Sequence, residues 1–165
     1  SVTYTGALAT AERFVSAASS CNIVHIAAHH RADPNPSKFS IVLSGKAGGK
    51  GTVQFTDMLR ISNPNLQAAV LSACDTISTS ETEAFGPAYT AEIFAIAGFP
   101  SVIGGLWKVS DDASVTLMGI FYRSVGPLGK AEALRRAQVS MIQSYDRRYA
   151  NPFYWAGFAL YGDPR

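Results

Sequence analysis

The chain has 165 residues, of which 47% are hydrophobic and 16% charged. That is the composition of one globular domain, and it excludes an intrinsically disordered segment. A domain of this length buries roughly 70% of the surface its unfolded chain exposes, so it needs no disulfide staples. Lys plus Arg number 14 against 12 Asp plus Glu, a net charge of +2, which removes the electrostatic case for a dedicated nucleic-acid binder. The longest apolar tract, 94–107, is broken by Gly98 and Pro100 and is too short to span a bilayer. No signal-peptide pattern opens the chain. Cys21 and Cys74 allow at most one bridge, and the plain expectation is reduced thiols in a cytoplasmic protein.

Residues 1–6 read as a cut end, since no start methionine is present. Leu8, Ala11 and Val15 predict a helix over 8–15. The run 22–28 is apolar except for His25 and predicts a strand buried on both faces, with His25 a satisfied core histidine. Residues 29–36 are polar and proline-bearing and predict a loop. Segments 39–43 and 52–55 flank the glycine-rich stretch 44–51 and predict a hairpin. Thr56 is expected to cap a short helix over 57–62. A further strand is expected over 67–73 with Cys74 at its end, followed by a polar loop over 75–87. Pro87 suits the first turn of a helix that Gly98 stops. A third central strand follows over 101–107. Ser110, Asp111 and Asp112 look like the start of a helix that runs to Gly126-Pro127, and 130–144 reads as another helix. Residues 153–161 read as the last strand.

Strands alternating with helices predict an α/β fold, a mostly parallel central sheet flanked by helices on both faces, in one domain over 1–165. Chemistry in such sheets gathers beyond the carboxyl ends of the strands. His29 and Cys74 stand there, 74 − 29 = 45 residues apart. A thiol is a poor nucleophile until its proton leaves, and an imidazole titrating near neutrality can take that proton and later protonate a leaving group. Read singly, Cys74 suits a small core residue and His29 a loop histidine. Their shared position at strand ends favours the chemical reading.

Four blocks in order resemble one family. Val24-His25-Ile26-Ala27-Ala28-His29 resembles the histidine motif of CHAT-domain proteins, caspase-like cysteine peptidases related to separase. Leu71-Ser72-Ala73-Cys74-Asp75-Thr76 resembles their cysteine motif. The segments 97–111 and 151–158 resemble the following two blocks. The spacing also falls near the caspase pattern, with a histidine about 50 residues before the cysteine. The resemblance implies a caspase-like fold, one CHAT domain from the C-terminal part of a longer chain, and a cysteine endopeptidase. His29 would be its catalytic histidine and Cys74 its nucleophile. The oxyanion would be held by the backbone N–H groups of His30 and Cys74. The family usually has glycine after the histidine, whereas this chain has His30. If the site requires the backbone freedom of glycine, His30 is strained.

In separase-like relatives an acid matching Asp111 contacts a basic residue on the acyl side of the cut, so the resemblance implies Asp111 in substrate binding, with Asp75 as a second pocket wall. Asp111 equally suits ordinary helix capping. Trp107 and Trp155 suit either a cleft lining or the core. Neither cofactor nor metal is expected: the cysteines and histidines lack zinc-site spacing, and 45–52 departs from the phosphate-loop pattern. The expected partners are a protein or peptide substrate and a regulatory partner or repeat region, with no nucleic acid and no membrane. Two alternatives stand beside the peptidase: a catalytically silent interaction or signalling module, and a thiol enzyme acting on a non-peptide acyl substrate.

Overall fold

The structure, a computed structural model, describes residues 1–33, 35–44, 51–72, 87–145 and 147–165. In chain order its elements are α1 (Ala11–Ala18), β1 (Ile23–Ile26), β2 (His29–Arg31), β3 (Ser40–Val42), β4 (Thr52–Gln54), α2 (Phe55–Met58), β5 (Ala68–Leu71), α3 (Pro87–Ile96), β6 (Ser101–Gly105), α4 (Asp111–Leu128), α5 (Lys130–Ile142), α6 (Pro152–Trp155) and β7 (Phe158–Gly162). The central sheet has the order β1-β5-β6-β7. Its first three strands are parallel, with Ile26 beside Leu71 and Leu71 beside Gly104, and β7 runs antiparallel to β6 at the far edge.

Alternation along the strands sends side chains to two cores, one on each face. Val24, Ile26, Ala69, Leu71 and Val102 meet α1, α3 and Phe39 on one face, while Val70 and Ile103 meet Leu117 and Phe121 of α4 and Ala133, Ala137 and Met141 of α5 on the other. The mostly parallel α/β arrangement expected from the sequence is therefore present, with helices on both faces. Against the first face lies a small antiparallel sheet, β2-β3-β4. The predicted hairpin is its β3–β4 pair, closed by Leu43 N–H donating to Gly51 O at 2.7 Å. Fully buried Phe94 of α3 ties this small sheet to the core, edge-on to Phe39 at 6.0 Å and to Phe99 at 5.1 Å.

Gly98 ends α3 as predicted. Its φ of 93° lies in the left-handed region that glycine enters without strain. Gly98 N–H then reaches Ala95 O and Phe99 N–H reaches Phe94 O, both at 3.0 Å, the paired bonds of a Schellman cap. The Phe94–Phe99 ring contact seals the turn.

Several boundaries differ from expectation. The first helix begins at Ala11, capped by Thr10 Oγ1 accepting from Arg13 N–H, and buries Ala11, Phe14 and Ala18, leaving Leu8 exposed. Residues 29–31 are a strand instead of loop, because β3 offers an antiparallel partner. Gln54, not Thr56, caps α2, which spans Phe55–Met58; Asp57 Oδ2 returns the bond to Gln54 N–H at 3.0 Å. The fourth helix carries Pro127 within it and ends at Gly129, φ 76°. Residues 152–155 form a helical turn where a strand was expected: Asn151 Oδ1 caps Phe153 N–H at 2.9 Å, and Pro152 supplies a helix-ready φ. The strand starts only at Phe158. Most of the predicted turn 44–51 and loop 75–87, with Cys74 and Asp75, lie outside the described residues.

Candidate functional site

The carboxyl ends of β1, β5 and β6 share one edge of the central sheet because those strands are parallel. The pair Ile26 and Leu71 closes the β1–β5 ladder, an offset of 71 − 26 = 45 residues. His29 and Cys74 have the same offset. Each stands three positions beyond its member of that last pair. Neighbouring strands are about 4.8 Å apart, so this register sets the ends of β1 and β5, at Ile26 and Leu71, side by side at one level.

Which histidine faces outward follows from strand alternation in β2. His29 and Arg31 are exposed, whereas His30 turns inward. The His30 ring lies 5.9 Å from that of Phe39, and its Nε2 is 3.4 Å from Oγ1 of buried Thr90 on α3. Burial pushes the His30 imidazole below its ordinary range, and His29 beside it adds to the effect. A second tie holds this region to α3, as Tyr89 Oη–H donates to Asp33 O at 2.7 Å. The strain anticipated at His30 is absent: Arg147 is the sole non-glycine residue of positive φ among the described residues, so His30 keeps ordinary extended backbone in β2.

Past the end of β6 lies an aromatic ledge. Trp107 and Phe153 stack at 6.5 Å with 23° between their planes, 37% and 48% exposed respectively. The Trp107 indole N–H donates to Phe153 O at 3.0 Å, and Leu106 N–H to Gly157 O at 2.7 Å. A Cβ on Gly157 would collide with Val109 Cγ2 and crowd Trp107 Nε1 at 3.2 Å. Gly157→Ala is expected to cost about 1–3 kcal/mol from overpacking, read from the denaturant midpoint. Trp155, the other tryptophan, is a packing residue against the second core.

Asp111 is the first residue of α4 and is exposed. Its carboxylate makes no hydrogen bond or ion pair with the described residues. The side chain of Ser110 makes no capping bond, and Asp112 is taken by Arg148 at 2.9 Å. Asp111 is thus the unengaged acid of the pair.

A third histidine has a role that the sequence reading missed. His25 is satisfied, as expected, but it is not core: its ring is partly open to solvent and bridges two hydroxyls. Nδ1 lies 2.7 Å from Tyr122 Oη of α4, and Nε2 lies 2.7 Å from Ser72 Oγ just after β5. The register partner of His25 is Val70, which puts it on the α4 face; that register was not readable from one strand's sequence. Burial holds the His25 imidazole below its ordinary range and the Tyr122 phenol above its own, so both stay neutral at pH 7.

Two histidines shifted down have a thermodynamic consequence. As pH falls through 6.5, the ordinary histidine value, the unfolded chain binds protons that the folded chain resists. Stability then drops until the lower folded values are passed. Denaturant titrations at pH 7.5 and pH 5.5 are expected to give the lower midpoint at pH 5.5, and the difference shrinks in His25→Gln.

A mostly parallel sheet between helical layers, with a histidine beyond the end of one strand, defines a caspase-like α/β domain. The chain belongs to the CHAT domain family, whose sequence model matches residues 1–163. CHAT domains are a caspase-like, peptidase-related family. No curated protein sequence matches the chain. Among the described residues, no helix is long and apolar enough to cross a membrane.

Proposed function

We propose that this domain is a cysteine endopeptidase in which His29 and Cys74 form the catalytic dyad. The observation that carries the reading is the shared 45-residue offset of the Ile26–Leu71 pair and of His29 and Cys74, joined to the outward position of His29. His29 takes the thiol proton, and the Cys74 thiolate attacks the scissile carbonyl carbon. The backbone N–H groups of His30 and Cys74 receive the oxyanion; one such donor contributes on the order of 3 kcal/mol to the barrier. As the tetrahedral species collapses, the C–N bond breaks and His29 protonates the departing amine, leaving a thioester. Water, deprotonated by His29, then attacks the thioester carbon and releases the acid and the thiol.

Asp111 is the residue we assign to recognition of arginine or lysine on the acyl side of the cut, through charge-assisted hydrogen bonds. Its carboxylate is exposed and unengaged among the described residues. Asp75 is a second acidic wall, and Trp107 with Phe153 gives the same edge of the sheet an apolar ledge. The substrate is a protein or peptide, and a regulatory partner or repeat region of the parent chain controls the site. A cytoplasmic setting suits the catalytic thiol and agrees with Cys21, which is a free thiol. His30 in place of glycine would favour a silent module if its backbone were strained, and its ordinary extended backbone speaks for the peptidase instead.

A peptide series with Arg, Lys, Asp or Leu before the scissile bond tests the assignment. Arg and Lys peptides are expected to be cut fastest. Asp111→Asn should lower kcat/KM for the Arg peptide about tenfold or more while leaving the Leu peptide unchanged. Equal rates for Arg and Leu peptides in the parent protein would remove Asp111 from recognition.

A further inference from the structure

We infer that His25, Ser72 and Tyr122 are positioning residues, a hydrogen-bonded chain that clamps the ends of β1 and β5 to α4. The inference rests on the peptidase reading for its catalytic consequence, but not for its structural one. The three side chains come from remote parts of the sequence, Ser72 lying 47 and Tyr122 97 residues from His25. Both ring nitrogens of His25 are engaged at 2.7 Å. A neutral imidazole has one donor and one acceptor nitrogen. One hydroxyl therefore donates to the ring and the other accepts from it, so the neutral ring satisfies both bonds at once.

The placement is specific. Ser72 is held to β1 at two points: its N–H donates to Ile26 O at 3.1 Å, and its Oγ meets His25 Nε2. In sequence Ser72 precedes Cys74 by two residues, and His25 precedes His29 by four. The clamp thus grips both strands on the approach to the proposed dyad. Its outer end is anchored as well, since the Tyr122 ring packs edge-on to fully buried Phe121 at 5.2 Å. Tyr122 is otherwise 39% exposed, so packing alone does not account for its hydroxyl. Reacting groups need placement well within an ångström, and a neutral chain of this kind fixes strand ends without putting a competing charge beside the thiolate.

The test uses Tyr122→Phe, Ser72→Ala and Ser72→Thr, each compared with the parent protein by amide hydrogen exchange and by peptide-cleavage kinetics. Tyr122→Phe and Ser72→Ala are expected to speed exchange of the Ser72 amide about tenfold, with β6 amides unchanged. The same variants should lower kcat five- to tenfold at unchanged KM, and Ser72→Thr, which keeps a hydroxyl, should restore both. A loss confined to global stability, with kcat intact, would overturn the inference. So would unchanged exchange at Ser72, or labelling of Ser72 by a fluorophosphonate, which would make it a nucleophile in its own right. If the full parent chain, with its regulatory region, cleaves nothing, the peptidase reading fails, and the exchange measurement alone decides the clamp.

Discussion

Cys74→Ala and His29→Ala are each expected to bring cleavage of a protein substrate down to background, while the unfolding transition stays at the parent's position. In enzymes whose nucleophile and base act as a unit, removing either one costs roughly 10⁴- to 10⁶-fold, and the double variant loses little more. That non-additivity is the signature of a dyad, because one residue without the other has no proton to give or take. His29 is exposed on β2, so trimming it opens no core cavity. Quantifying product by mass spectrometry in the two single variants and the double checks the expectation. Additive partial losses would mean that the two residues act separately.

Phe94→Ala is expected to be the costliest core change, about 3–5 kcal/mol, against a total stability of about 5–15 kcal/mol for a domain. Phe94 is fully buried and touches Phe39 and Phe99. Its loss empties the joint between α3 and the small sheet and also removes the contact that seals the Gly98 cap. The His30 ring rests on Phe39, so β2, which bears His29, loses its backing at the same time. Phe94→Leu fills most of the space and should recover more than half of the loss. Chemical denaturation measures both, and a Phe94→Ala midpoint within about 1 kcal/mol of the parent would contradict this account of the joint.

The apolar runs at 22–28, 67–73 and 101–107 were legible as strands because a parallel sheet buried on both faces demands unbroken hydrophobicity. Gly98 was legible as a stop because few other residues accept its φ of 93°. Residues 29–31 were not legible: His-His-Arg has no strand signature, and only pairing with β3 makes it one. The same pairing settled which adjacent histidine faces out, since alternation needs a known strand. The turn at 152–155 was hidden by a run of aromatics that favours strands, against which the Asn151 cap and Pro152 prevailed. The Ser72–His25–Tyr122 chain could not be read at all, as it joins three elements whose register the sequence does not state.

The most direct measurement is the pH dependence of Cys74 alkylation by iodoacetamide, made in a Cys21→Ser background with and without His29. Cys21 needs removing because it is a second, free thiol, though burial pushes its pKa up and so disfavours its thiolate. With His29 present, alkylation is expected to rise with an inflection well below the ordinary thiol value of about 8.5, and His29→Ala should return it there. Identical profiles for the two proteins, both centred on the ordinary value, would contradict the dyad.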